Sequence, residues 1–312
     1  MEPHQNIIDL ITQLENDHQH GAHHFAERAL DIMCAAAKEH TGENSKEMLR
    51  AMWRVGKCLV EIRPSMSAGI IHAVTGLWEL VLNEFLVNPA ICPLKSWVRD
   101  KKGQLLKQLD RAIEAASNNA AYAIPDGSTL FLFSHSSSVI RTIEKTTSKG
   151  IKVIVAESRP LYEGVKTAEE CSELGVDTTL ITDSQAGIIM KNCSLVLIGA
   201  DAVLPSGDVV NKAGTSLIAA VAADHGVPLY IVAHTWKIHP GETVVLEEKD
   251  PSEVLKGIHP FRIRNVYFDI TPASRIKAVI TEEGQMTTAQ VSLAAESIRQ
   301  SFEAFMSNPI SA

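Results

Sequence analysis

Two textures of hydrophobic spacing divide the chain. From 7 to about 119, apolar residues return every three or four positions, as in Ile70, Val74, Leu77, Trp78, Val81 and Phe85, with few alternating β-branched runs. This is the period of a buried helix face, and it predicts a helical N-terminal domain over 1–120. The last helix is expected over 103–121, where Leu105, Leu106, Leu109, Ile113 and Ala116 keep the period until Pro125-Asp126-Gly127 supplies turn chemistry. It is expected to link this domain to the next. The most apolar stretch, 69–87, is interrupted by His72, Glu79, Asn83 and Glu84, which predicts a buried helix and not a membrane span.

After Ser128 short apolar runs appear at 130–133, 151–156, 178–181, 195–198, 229–233 and 277–280, separated by helix-length stretches near 137–148, 162–174, 185–192 and 212–225. Parallel strands need such crossovers, so the alternation predicts an α/β domain with a parallel sheet over 121–312. The stretch 247–266, rich in charge and proline, reads as a surface excursion.

Composition narrows the function classes. With 312 residues and 45% hydrophobic content, the chain can bury the cores of two domains. Its 29 Lys+Arg against 37 Asp+Glu give a formal charge of -8 with no basic cluster, which argues against direct nucleic-acid binding. Cys34, Cys58, Cys92, Cys171 and Cys193 share no CxxC spacing, so neither a zinc knuckle nor a disulfide framework is signalled and a reducing cytoplasm is expected. Met1-Glu2-Pro3-His4 lacks the basic and then apolar layout of a signal peptide.

In an open parallel sheet, ligands bind beyond the carboxyl ends of the strands. Here those ends are polar: Ser134-His135-Ser136-Ser137-Ser138, Glu157-Ser158-Arg159-Pro160, Asp183-Ser184, Gly199-Ala200-Asp201 and His234-Thr235. The serine run precedes a helical stretch whose free amides and hydroxyls suit either a phosphate or ordinary helix capping. It contains no GxGxxG turn, so no dinucleotide or other cofactor is expected. Arg159 and Lys212, the latter expected at another helix start after Asn211, offer positive charge to the same anion. Asp201 follows a strand at a narrow edge, where a carboxylate serves either proton transfer or capping. His18, His20, His23 and His24 include one i,i+4 pair, but no Cys or acidic partner completes a metal pattern, so no metal is expected. A solvated face or a ligand-facing turn at Gly21 is the other reading of that cluster.

The segment Gly199-Ala200-Asp201-Ala202-Val203 followed by 206–215, with Asn211 and Lys212 inside it, resembles the signature of the initiation factor 2B family. That family joins sugar-phosphate isomerases to noncatalytic alpha, beta and delta subunits of the exchange complex. His20-Gly21-Ala22, Arg63-Pro64-Ser65, Glu157-Ser158-Arg159-Pro160, Lys237 within 233–240, and Phe268-Asp269-Ile270-Thr271-Pro272 are most similar to its ribose-1,5-bisphosphate isomerase branch. The resemblance spans nearly the whole chain. It implies a helical domain on a Rossmann-like domain, a phosphorylated sugar or nucleoside monophosphate held between them, and homodimers or larger homo-oligomers.

By the same resemblance Asp201 matches the isomerases' catalytic aspartate, and His20, Gly21, Ala22, Arg63, His135, Ser137, Ser138, Arg159, Glu163, Asn211, Lys212 and Lys237 fall at substrate-binding positions. The isomerases' catalytic cysteine is matched by Ser136, whose hydroxyl is a far weaker acid than a thiol near pKa 8.5. His20 stands where that pattern has Arg, and Glu163 where it has Gln. Two functions therefore stand open: aldose–ketose isomerisation with Asp201 as acid/base and Ser136 or water replacing the thiol, or noncatalytic sensing of a sugar phosphate or nucleotide.

Overall fold

The structure, a computed structural model, describes residues 5–17, 21–307 and 310. Five helices come first: α1 (Gln5–Glu15), α2 (Ala22–Glu39), α3 (Ser45–Glu61), α4 (Ser67–Val87) and α5 (Ile91–Ala123). Asn44 starts α3 by accepting the Lys46 amide at 3.0 Å, a cap for an otherwise orphaned donor. The apolar helix expected over 69–87 is α4. By length and composition it could cross a membrane, but Ile70, Val74, Leu77, Trp78 and Val81 are buried in a core shared with α2, α3 and α5. A helix apolar around most of its circumference is one packed on several sides. The helix expected over 103–121 is longer, running unbroken from Ile91 for 33 residues.

The remainder alternates β1 (Thr129–Phe133), α6 (Ser137–Thr146), β2 (Lys152–Ala156), α7 (Glu163–Glu173), β3 (Asp177–Ile181), α8 (Ala186–Ile189), β4 (Leu195–Ile198), β5 (Ala202–Val203), β6 (Val209–Lys212), α9 (Thr215–Asp224) and β7 (Leu229–Val232). Then follow β8 (Phe268–Thr271), β9 (Ala278–Thr281), β10 (Gly284–Met286) and α10 (Thr288–Met306). Seven strands form one sheet in the order β10-β9-β7-β4-β1-β2-β3, parallel except for β10. Both faces are covered, so its central strands are apolar throughout; β4 is buried at all four positions.

Strand order reverses beside β1: β2 and β3 extend to one side, β4 and β7 to the other. The turns after β1 and β4 therefore diverge and leave a crevice, the usual ligand position in such sheets. A second, antiparallel sheet of β5, β6 and β8 closes the crevice, and Ala202, Leu204, Val210 and Phe268 plant it in the helical core. This sheet departs from the sequence expectation. Lys212 ends strand β6 and does not start a helix. Helix α10 returns to the helical layer, where the Phe305 ring meets Trp78 edge-on at 5.7 Å and its carbonyl accepts the Trp53 indole N–H at 2.7 Å.

Candidate functional site

The turns after β1 and β2 are locked to each other. Ser134 and Ser158 adopt left-handed backbone at φ 61° and 62°, a conformation costing about 1 kcal/mol or more outside glycine. Hydrogen bonds offset that cost. The Ser134 amide donates to Ser158 Oγ at 2.7 Å, and Thr167 Oγ1 donates to the Ser134 carbonyl at 2.8 Å. Asp183, from the turn after β3, accepts the Ser158 and Arg159 amides at 2.7 and 2.8 Å. Three strand ends thus form one rigid rim. Across the crevice, Gly199 lies so close to Ser136 that a Cβ there would sit 2.5 Å from the serine oxygen, so only glycine fits.

Beyond this rim lies a cavity of about 390 Å³ lined by Gly21, Met66, Ser134, His135, Leu161, Tyr162, Glu163, Lys166, Asp201, Lys212, Lys249, Tyr267 and Phe268. The helical layer supplies Gly21 at the start of α2, where no neighbour lies within 4 Å of a Cβ position. Lys212 enters from β6 and Asp201 from the turn after β4. Glu163 begins α7 and receives two donors on one carboxylate oxygen: Lys212 Nζ at 2.5 Å and the Tyr267 hydroxyl. Its other oxygen is buried with no hydrogen-bond partner among the described residues. Lys249 Nζ lies 3.4 Å and Lys212 Nζ 3.8 Å from the centre of the Tyr267 ring. The lining carries three lysines and two carboxylates, with the exposed Lys166 lying 3.7 Å from Glu170 outside it.

Burial pushes the Asp201 carboxyl above its ordinary range, and Glu163 adds to the shift against the pull of Lys237, Lys249 and Lys212. Burial likewise lowers Lys212, opposed chiefly by Glu163, and lowers Lys249 to about 8, helped by Arg63 and Lys212. Burial drives the His72 imidazole down to about 4 and His234 well below its ordinary value, and it also lowers Lys237. Burial thus moves the Asp201 carboxyl and the Lys212 and Lys249 amines toward their neutral forms.

Only some of the sequence-derived residues reach the cavity. Gly21, His135, Glu163, Lys212 and Asp201 line the cavity, with His135 Nε2 3.0 Å from Glu170. Lys237 is buried behind it within electrostatic reach of Asp201. Ser136 caps α6 without a side-chain bond, and its neighbour Ser137 is exposed at the first position of that helix. The others serve the scaffold. Ala22 is core; the Ser138 carbonyl accepts the Ser117 and Thr142 hydroxyls; Asn211 Nδ2 donates to Thr215 Oγ1 at 3.0 Å.

Arg63 is buried against the Phe25 ring, with Glu247 at 3.7 Å and the Glu15 carbonyl at 3.4 Å. The Arg159 guanidinium donates to the Pro160 and Val254 carbonyls and covers the Tyr162 ring. Neither lines the cavity. His18 and His20 lie outside the described residues. His23 is 3.4 Å from Glu27 and His24 3.5 Å from Asp17; among the described residues no group of three His, Cys, Asp or Glu is placed to hold a metal.

Lys249 and Tyr267 were missed by sequence reasoning. The stretch 247–266 is not only a surface excursion: a bridge pairs Glu248 with Val266, the Lys249 amide donates to the Asn265 carbonyl at 2.9 Å, and Lys249 turns inward while Ile258 and Phe261 stay exposed. Asp269 accepts the Gly214 and Ser216 amides and so caps α9.

A doubly wound sheet with a lysine-lined crevice defines the class of this α/β protein. Residues 18–288 match the model of the Initiation factor 2 subunit family, to which this chain belongs. It is 33% identical over 293 residues to a ribose 1,5-bisphosphate isomerase of Methanocaldococcus jannaschii, covering 89% of this chain and 90% of that one. To an eIF-2B subunit 2-like protein of Pyrococcus abyssi it is 31% identical over 283 residues, covering 89% and 95%. The crystal structure of a Pyrococcus horikoshii translation initiation factor eIF-2B superposes with a TM-score of 0.77 at 27% identity, covering 91% of this chain and 97% of that one.

Proposed function

We propose that this chain binds a phosphorylated sugar, with the phosphate among the cavity lysines and the sugar's reactive end at Asp201. The observation that carries this reading is the cavity itself: Lys166, Lys212 and Lys249 outnumber Glu163 and Asp201 at a sheet crevice, and likeness to a protein named ribose 1,5-bisphosphate isomerase supports the sugar. A nucleoside monophosphate offers the same phosphate and ribose. Binding without turnover, as in a sensor or regulatory subunit acting as a homodimer or larger homo-oligomer, fits the groups present. All five cysteines are free, and none lines the cavity. Burial pushes Cys34, Cys171 and Cys193 up to about 11, so these thiols are poor proton donors and poor nucleophiles.

Isomerisation is the second reading, favoured by the raised Asp201 carboxyl. A proton or hydride must move between neighbouring sugar carbons, and where it is a proton, a carboxyl raised by burial exchanges it more readily. The test incubates the protein with ribose-1,5-bisphosphate and follows ketose formation by NMR, with calorimetry reporting binding. Binding without ketose, and ketose on Ser136→Cys but not on Ser136→Cys with Asp201→Asn, is the expected pattern. Rapid turnover by the wild type would make the isomerase reading the correct one. No binding of any sugar phosphate would dismiss both.

A further inference from the structure

The cavity holds two inward lysines in unlike states. Lys212 is already engaged by Glu163 at 2.5 Å. Lys249 makes no ion pair among the described residues; its ammonium rests over the Tyr267 ring at 3.4 Å and faces Phe268 at 5.8 Å. We propose that Lys249 is the cation that recognises the ligand's phosphate, and that it takes up a proton as that phosphate enters. This rests on the sugar-phosphate reading and deepens it by naming the group that reads the anion.

The charges around Lys249 explain the proton uptake. Arg63 and Lys212 disfavour its charged form, while Glu253 and Glu163 favour it; Asp201 feels its field from the far side of the cavity, and Tyr267 is held neutral by burial and Glu163. Burial outweighs the favourable charges and leaves the amine near 8. Near pH 8 the empty site therefore holds much of its Lys249 as neutral amine. A phosphate monoester dianion beside it stabilises the ammonium, so binding draws a proton from solvent. As pH rises through 8, uptake becomes costly and affinity falls. Below about pH 6 the ester itself protonates. Affinity is therefore highest near pH 7.

The experiment titrates inorganic phosphate and ribose-1,5-bisphosphate into the full chain at pH 7.0, 8.0 and 9.0, by calorimetry in two buffers of different ionisation heat. Wild type, Lys249→Arg and Lys249→Met are compared, each checked for an unchanged melting profile. Wild type should take up protons at pH 8 and lose about tenfold in affinity from pH 7 to 9. Lys249→Arg should bind with no uptake and no loss, because guanidinium stays charged. Lys249→Met should bind at least about tenfold more weakly at pH 7.

If Lys249→Met binds like the wild type, or if Lys249→Arg keeps the full proton uptake, the assignment fails and Lys212 or Lys237 is the titrating group. If the wild type binds neither probe, the sugar-phosphate reading fails and this inference falls with it.

Discussion

The helical layer and the crevice edge bury side chains in opposite ways. In the first, Phe25, Met33, Met52, Leu77 and Trp78 fill a neutral core, and each buried group adds stability in proportion to the apolar area it removes from water. At the edge the buried groups include Lys212, Lys237, Lys249 and His234, and each loses hydration that its neighbours only partly restore. Folding alone would favour apolar residues there. The difference teaches that the helical layer supplies apolar burial while the crevice edge carries desolvated charges that add little to folding.

Trp78→Ala should have the largest effect. The ring is 2% exposed and meets Phe305, so its loss should cost about 3–5 kcal/mol by chemical denaturation. Affinity for sugar phosphate in the folded fraction should be unchanged. A parallel loss of affinity at low denaturant would show that the two regions are not separable.

Acid should act next, through a histidine on α4 where the helical layer meets the loop after β7. The His72 imidazole stacks on Trp236 and is held at about 4, against an ordinary 6.5. Its folded value is depressed, so its contribution is intact above pH 6.5 and is lost as pH falls toward 4, where only the unfolded chain binds the proton. That span corresponds to roughly 3 kcal/mol. His72→Phe retains a ring on Trp236, gives up one hydrogen bond to the Ile238 backbone, and should move the acid-unfolding midpoint to lower pH. An unmoved midpoint would place the acid-sensitive group elsewhere.

A smaller change is expected from Asp201→Asn. Because burial disfavours the carboxylate, the neutral amide should raise the melting temperature at pH 7 by about 2 °C, while abolishing whatever turnover the chain has. A lower melting temperature would mean that the surrounding lysines need the negative charge more than its burial costs.

Much of this architecture was legible because a parallel sheet covered on both faces leaves uninterrupted apolar runs, and all six runs became strands. The antiparallel sheet was not. Its β5 is two residues long, and β6 ends in Asn211-Lys212, which reads as a helix start because Gly214 and Thr215 follow at once. Pro93 sits in the first turn of α5, where it interrupts nothing. In the site, the rule of strand ends found Ser134, His135 and Asp201, whose positions follow from local sequence. Lys249 and Tyr267 come from a distant loop whose inward register is set by the bridge between Glu248 and Val266, a pairing with no local signal. Arg63 and Arg159 show the converse, since a charge in a suggestive motif can be used up by carbonyls and aromatic rings of the scaffold.

The most direct test of the account is the melting temperature of the intact chain with ribose-1,5-bisphosphate, ribose 5-phosphate or unphosphorylated ribose, each at millimolar concentration. A ligand selective for the folded state stabilises it by mass action. The account requires a rise of at least about 3 °C with the phosphorylated sugars, none with ribose, and a much smaller rise in Lys249→Met. Equal melting temperatures in all three sugars would contradict it.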